Sequence, residues 1–159
     1  MAADGLAGAH ISPGAGEAYW VGGEHITFKV RGAQTGGAVA LIEDEVQPGY
    51  GPPLHLHLHE NEAFYVVAGE FTFTLGDRTV DAPPGSLLTV PQGQLHTFRN
   101  VGATPGRLVA MIWPAVAFEG FVQEVGTPEP PTRPPDLEKL LAAAAKYGIA
   151  VPLPQQGGA

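Results

Sequence analysis

The chain has 159 residues, with sixteen acidic and eight basic side chains and a formal net charge of −8. Binding to nucleic acid depends on neutralising phosphates, so this charge balance argues against a nucleic-acid partner. The sequence contains no cysteine, which excludes disulfides and thiolate metal sites and leaves only nitrogen and oxygen ligands for any metal.

The length fits one domain with a substantial core. The N-terminus has no basic region followed by an apolar core, and nowhere do eighteen consecutive apolar residues occur. We therefore expect a soluble, cytoplasmic protein with no membrane partner. The 22 glycines and 16 prolines are scattered between short apolar segments, which is typical of short strands joined by tight turns.

The chain divides into three predicted parts. Residues 1–18 form an N-terminal arm, residues 19–127 a β-barrel, and residues 128–159 a linker with a helical tail. Within the barrel, residues 25–31 alternate apolar and polar side chains as a half-buried strand does, and residues 39–46 form a second strand.

The segment GPPLHLHLHENEAFYVVAG, residues 51–69, contains the most informative pattern. It places His55, His57 and His59 at alternate positions, and side chains two apart on a strand point to the same face. Imidazoles that converge with a carboxylate indicate a metal site.

Glu62 has the opposite strand parity from these histidines. A turn or bulge near Glu60 and Asn61 must therefore reset the strand if Glu62 is to face the imidazoles. We expect the Glu60 side chain itself to be solvated.

Further strands follow at spacings of about 8 to 12 residues, which is typical of a sandwich or barrel. A two-residue loop at Gly76 and Asp77 predicts a hairpin within residues 71–80. In the tail, Asp136 stands at a helix N-cap position, and the helix is predicted to stop at Gly148.

A second ordered segment is GSLLTVPQGQLHTFRN, residues 85–100. The spacing of its glycines, proline, histidine and asparagine, together with that of the first segment, resembles the paired motifs of the cupin superfamily. The matching positions are His55, His57, Glu62 and Gly69, followed by Gly85, Pro91, Gly93, His96 and Asn100.

The resemblance implies an all-β fold, the cupin double-stranded β-helix or jelly-roll barrel, with a short C-terminal helix. It also implies a divalent metal bound by His55, His57, Glu62 and His96, and it gives His59 no ligand position. The fifteen residues between the motifs and the helical tail are similar to those of single-domain cupins that resemble quercetin 2,3-dioxygenase. Cupins with one barrel are commonly dimers, so a homodimer is expected.

Three imidazoles and one carboxylate suit Fe, Mn, Co, Ni or Cu as divalent ions, and affinity order alone does not choose among them. A six-coordinate ion would keep about two positions open for water, substrate or dioxygen. Phe64 and Phe98 share strand parity with Glu62 and His96 and are the best candidates to line a pocket. The other candidates are His59, Met111 and Trp113, although aromatic residues on strands usually belong to the core.

The leading hypothesis is a dioxygenase that cleaves a flavonol-like or other enolisable aromatic substrate, with Glu62 as the general base. One alternative is a module that binds or senses a small molecule without turnover, although no DNA-binding segment accompanies the barrel. Another alternative is a metal-dependent isomerase or lyase. A polar substrate would need cationic anchors, in which the predicted strands are poor, so an apolar or aromatic substrate is favoured.

Overall fold

The computed structural model describes residues 8–152; the outermost seven residues of the predicted arm and of the predicted tail lie outside the described residues. The described chain forms eleven strands and two α-helices, in the order β1 (Glu17–Val21), β2 (Glu24–Val30), β3 (Ala40–Val46), β4 (Leu56–His57), β5 (Asn61–Ala68), β6 (Phe71–Leu75), β7 (Arg78–Ala82), β8 (Leu87–Val90), β9 (His96–Asn100), β10 (Gly106–Trp113), α1 (Phe118–Val125), α2 (Leu137–Lys146) and β11 (Ile149–Ala150).

The strands form an antiparallel jelly-roll barrel, as predicted. One wall is a six-stranded sheet with the order β1-β2-β3-β10-β5-β8. The opposite wall contains the sheet β7-β6-β9 and the pair β11-β4. A two-residue bridge between His55 and His96 joins β4 to β9, so these pieces act as one wall.

Alternation of side chains explains which faces pack together. In β10, every second residue from Gly106 to Ile112 is buried, and the residues between them are more exposed. Phe71 and Phe73 of β6 are similarly buried, and both rings contact Phe98. The apolar sides of the two walls therefore meet in one core, because burial of these faces removes a large apolar area from water.

The predicted tail helix is confirmed as α2. Its N-cap is Asp136, whose Oδ1 accepts hydrogen bonds from the backbone N–H groups of Glu138 and Lys139 at 3.1 and 3.2 Å. Gly148 follows with φ of +68°, a conformation that glycine adopts without steric cost. The chain then turns back, and β11 pairs with the histidine-bearing strand β4.

Two elements differ from the predicted organisation. Strand β1 begins at Glu17, two residues before the predicted start of the barrel at residue 19, because it pairs along its whole length with β2. Helix α1 was predicted as part of the barrel. The sequence signal for this helix is the helical spacing of its apolar side chains, which are Phe118, Phe121, Val122 and Val125.

Across residues 8–152, neither helix is long and apolar enough to cross a bilayer.

Candidate metal centre

Backbone pairing brings the two histidine segments together. The N–H of His55 donates to the carbonyl of His96 at 3.0 Å, and the N–H of His96 donates to the carbonyl of His55 at 2.8 Å. The two imidazole centroids are consequently 4.3 Å apart. Residues separated by forty positions in the sequence thus become direct neighbours.

The predicted reset of the strand is present. Strand β4 ends at His57, residues 58–60 leave the extended conformation, and β5 starts at Asn61. This break turns Glu62 toward the histidines. Its Oε2 atom lies 3.3 Å from His57 Nε2 and 2.7 Å from His96 Nε2.

The structure brings all four predicted ligands into one cluster. One potential ligand atom from each of His55, His57, Glu62 and His96 lies within 4.8 Å of the others. Glu62 Oε2, His57 Nε2 and His96 Nε2 are buried without a hydrogen bond of acceptable geometry. Buried polar atoms normally have partners, and a shared cation would satisfy these three at once. The residues therefore fit a divalent metal.

Neighbouring carbonyl groups orient two of the imidazoles. His55 Nδ1 lies 2.8 Å from the carbonyl of Pro53, and His96 Nδ1 lies 2.9 Å from the carbonyl of Gln94. A carbonyl accepts only from a protonated nitrogen, so in both rings Nδ1 holds the hydrogen. The lone pair is therefore on Nε2, the tautomer that a ligand at this position requires.

Glu60 is buried, with 2% of its surface exposed, which corrects the expectation of a solvated side chain. Its Oε1 accepts from the backbone N–H groups of Val116, Ala117 and Phe118 at 2.9, 2.8 and 3.1 Å, at the start of α1. Its Oε2 lies 3.6 Å from His57 Nδ1, just beyond hydrogen-bond distance. Glu60 therefore joins α1 to the metal cluster.

Charge and burial set the protonation states of the cluster. Burial, reinforced by the nearby His96 and His57, lowers the pKa of His55 to about 4, so this imidazole is neutral at pH 7. Burial opposes ionisation of Glu62, but the three histidines hold its pKa below the usual value. The centre therefore offers an ionised carboxylate and at least one neutral imidazole to a cation.

A cavity of about 90 Å³ adjoins the cluster and is lined by His55, His57 and Glu62. Phe64 and Phe98 line it as predicted. The volume is smaller than the roughly 150 Å³ of a cavity that holds a benzene molecule. As folded, the cavity therefore fits a small ligand more readily than a compound of several fused rings.

Three predicted lining residues lie elsewhere, which is a correction. Met111 points outward on β10 and is 39% exposed, and Trp113 shares its strand parity. His59 is exposed, and its ring packs against the turn at Gly148. Because Met111 and Trp113 are offset by one residue from the buried face, alternation sends their side chains away from the cavity.

Helix α2 and β11 cover the other side of the cavity. Leu140, Leu141 and Ala144 of α2 and Ile149 of β11 contribute to its lining. Phe118 and Phe121 of α1 complete this apolar cover. The predicted tail, which forms α2 and β11, thus encloses the candidate site together with α1.

Two carboxyl groups inside the same cavity were not anticipated. Glu24 and Asp44 are 8% and 3% exposed and lie on β2 and β3. Each occupies the buried parity of its strand, next to Ile26 and Ile42 respectively. An acidic residue at an apolar position of an alternating strand is the sequence signal that would have identified them.

Residues 43–112 match the family model of the cupin domain. With the two antiparallel walls and the histidine–glutamate cluster, this match defines the class of the fold, which is the cupin jelly roll.

Among curated proteins, the chain resembles quercetin 2,3-dioxygenase of Bacillus subtilis (strain 168), with 27% identity over 59% of this chain and 27% of the relative. It also matches mannose-1-phosphate guanylyltransferase 2 of Escherichia coli O157:H7, with 33% identity over 40% of this chain and 13% of the relative. The chain thus spans only a minor part of these two relatives.

The fold is similar to that of KdgF from Halomonas sp., with a TM-score of 0.61 and 16% identity. The alignment covers 68% of this chain and 94% of that one. At this identity the similarity is evidence for the fold alone.

Proposed function

We propose that the protein is a metal-dependent dioxygenase that acts on an enolisable aromatic compound or a similar apolar substrate. The observation that supports this proposal is the position of four convergent ligand residues at one end of a mostly apolar cavity. A reactive metal site differs from a structural one in having space for substrate beside the ion.

His55, His57, Glu62 and His96 would hold the ion. A bound Fe, Mn, Co, Ni or Cu ion would supply Lewis-acid and redox chemistry there. The apolar walls exclude water and hold the ring of the substrate, and Phe64 and Phe98 provide aromatic faces for stacking.

Glu62 is proposed to act as the general base. Its carboxylate is buried, ionised at neutral pH and faces the same cavity as the aromatic side chains. The proton of an enolic or phenolic hydroxyl would move to the Glu62 carboxylate after this side chain leaves or loosens its bond to the ion, and an electron-rich oxygen would remain on the substrate.

The similarity to a quercetin 2,3-dioxygenase supports this choice within the cupin class. The cavity volume bears on the substrate: because the cavity as folded is smaller than one that holds benzene, a single-ring compound needs some outward movement of α2 and a three-ring flavonol needs more. The lining residues include no lysine or arginine, so an anionic sugar phosphate would have no cationic partner in the cavity.

The test is reconstitution of tag-free protein with each of the five metals without oxygen, followed by measurement of oxygen uptake. The substrate panel contains 3-hydroxy-4-pyranones, catechols and flavonols. We expect uptake with at least one metal and substrate, and loss of uptake in His96→Ala. His59→Gln, a matched histidine outside the cluster, should retain wild-type uptake. No uptake with any combination would overturn the proposal.

A binding module without turnover is the second candidate, and the cover formed by α2 and β11 favours it. A module would bind a pyranone or flavonol tightly in the metal-loaded state, consume no oxygen and release the ligand unchanged. Chromatography of the recovered ligand distinguishes this outcome from slow oxygenation.

A further inference from the structure

The cavity has a second polar region besides the metal cluster. Asp44 and Glu24 are diagonal neighbours on antiparallel strands, since Asp44 pairs with Ile26 and Glu24 pairs with Val46. Each carboxyl group shifts the pKa of the other, so the two groups lie close together. Both side chains line the cavity together with His55, His57 and Glu62.

One oxygen of this pair has no partner. Asp44 is 3% exposed, yet its Oδ1 makes no hydrogen bond. A buried acceptor without a partner costs about 1–3 kcal/mol, so native proteins rarely retain one. Ile26 and Ile42 beside it are apolar, and neither Tyr50 nor a histidine of the lining is hydrogen-bonded to Asp44 Oδ1. A donor on an occupant of the cavity would satisfy this oxygen.

We propose that Asp44, held by Glu24, is a second substrate anchor, whose Oδ1 accepts a hydrogen bond from a hydroxyl group on the part of the substrate remote from the metal ligands. This inference rests on the proposed function, because it assigns the cavity to substrate. It narrows the substrate class to a compact, mainly apolar ring that carries a metal-binding oxygen and a separate hydroxyl group.

The protonation of the pair suits this role. Burial raises the pKa of Glu24 well above its usual value, and the neighbouring Asp44 raises it further. The raised pKa favours the protonated form of Glu24, which can act as the donor of the pair. Burial also raises the pKa of Asp44 to about 7, so above that pH Asp44 is the ionised acceptor.

The register of the sheet separates the two polar regions. Asp44 pairs with Leu108 of β10, whereas Glu62 pairs with Ile112 of the same strand. Asp44 and Glu62 therefore lie two strands apart, and their partners on β10 are four residues apart. A ligand that reaches both groups must have its polar atoms at opposite ends.

The test uses ligand pairs that differ by one remote hydroxyl group. Kojic acid and allomaltol share one metal-binding hydroxypyranone, and only kojic acid has a hydroxyl on the opposite substituent; kaempferol and galangin form a longer pair. Dissociation constants are measured at pH 8 without oxygen on metal-loaded wild type, Asp44→Leu, Asp44→Asn and Asp81→Asn, the last an exposed aspartate on β7 outside the cavity. Metal content and thermal melting are measured on each sample.

We expect wild type to bind the hydroxylated member of at least one pair roughly tenfold more tightly, since hydrogen bonds to charged groups have about this effect on affinity. Asp44→Leu should abolish the preference, and Asp81→Asn should retain it with the same metal content. If Asp44→Leu does not fold, a reduced preference in folded Asp44→Asn supports the anchor. The anchor is ruled out if the folded Asp44 variants keep the wild-type preference. It is also ruled out if wild type binds the two members of each pair equally or binds neither of them.

Oxygen uptake distinguishes this failure from failure of the proposed function. If uptake occurs but Asp44 has no effect on hydroxyl preference, the anchor is wrong and the oxygenase proposal stands. If the Asp44-dependent preference occurs without uptake of any substrate, the anchor stands and the dioxygenase proposal is wrong.

Discussion

Glu60 connects two parts of the molecule through a single side chain. One carboxylate oxygen accepts three backbone N–H groups at the start of α1, and the other approaches His57. Burial opposes its ionisation, but His57 and these N–H groups hold the pKa of Glu60 below its usual value. Its charge therefore stabilises both the helix start and a protonated or metal-bound His57.

Substitutions at Glu60 should separate these two effects. Glu60→Gln keeps an oxygen acceptor for α1 but removes the charge beside His57, so we expect metal affinity to fall about tenfold with little loss of stability. Glu60→Ala leaves three N–H groups without their acceptor and should lower the free energy of unfolding by about 2 kcal/mol or more.

Chelator competition measures the metal affinity of these variants, and urea denaturation measures their stability. Glu45→Ala, which changes an exposed carboxylate on β3, is the control and should match wild type in both. Wild-type metal affinity in Glu60→Gln would show that the charge of Glu60 has no effect on the site.

Asp44 should make stability depend on pH. Burial raises its pKa from 3.8 to about 7, with Glu45 adding to the rise and the hydrogen bond from Glu24 opposing it. Between these two values the folded protein retains a proton that the unfolded chain has released. The free energy of unfolding therefore decreases as pH rises through this window, by at most about 1.4 kcal/mol per pH unit from this group.

Asp44→Asn removes this titration. We expect its stability relative to wild type to be greater at pH 8 than at pH 4, as measured by urea denaturation at both values. A pH slope identical to that of wild type would contradict the assignment of a raised pKa to Asp44.

At the scale of elements, α2 determines access to the cavity. It contributes apolar lining, and β11 attaches its C-terminal end to β4, the strand that bears His57. At its N-terminal end, the Asp136 cap replaces hydrogen bonds that the first turn of a helix otherwise lacks. A ten-residue helix is marginal alone, so its stability depends on this cap and on packing.

Asp136→Ala should loosen the cover without changing the metal ligands. We expect a loss of about 1 kcal/mol in the local stability of α2, faster hydrogen exchange across residues 137–146 and faster entry of pyranone ligands. Mass spectrometry of exchanged peptides and stopped-flow binding measure these changes. Asp136→Asn retains a capping oxygen and should behave as wild type; equal exchange in all three proteins would contradict the role of the cap.

At the scale of the whole molecule, the outer face of the six-stranded sheet carries an apolar patch on β5, β8 and β10. Tyr65, Leu87, Val109 and Met111 are 47%, 66%, 38% and 39% exposed. Tyr65 pairs with both Leu87 and Val109, so these side chains are adjacent on three strands. Contiguous apolar surface of this kind is typical of a contact between subunits.

We propose that this face forms the expected homodimer. Sedimentation at micromolar concentration should give a dimer, and Leu87→Glu should shift it toward monomer, because a charge would be buried in the contact. The control is Val116→Glu, which changes an apolar side chain that is 62% exposed and lies in the segment before α1. The protein with this substitution should remain a dimer. Monomeric wild type would rule out the dimer, and equal effects of both variants would rule out this face.

The sequence by itself determined the succession of short strands, because strand alternation is a local property. The resemblance of two ordered segments to the cupin motifs implied the jelly-roll barrel and the cluster of His55, His57, Glu62 and His96. With Glu62 as a ligand, the break between His57 and Glu62 followed from strand parity. The helix from Leu137 to Lys146 was also predictable, because Asp136 and Gly148 mark its ends by local chemistry.

Only the tertiary structure decided what surrounds the cluster. Glu60 looked solvated in the sequence, but its acceptors meet N–H groups more than fifty residues away. The cover by α2, the pairing of β11 with β4 and the meeting of Glu24 with Asp44 likewise depend on contacts between distant segments. Local patterns specify which face of an element is apolar, but the partner that each face meets is fixed only when the whole chain packs together.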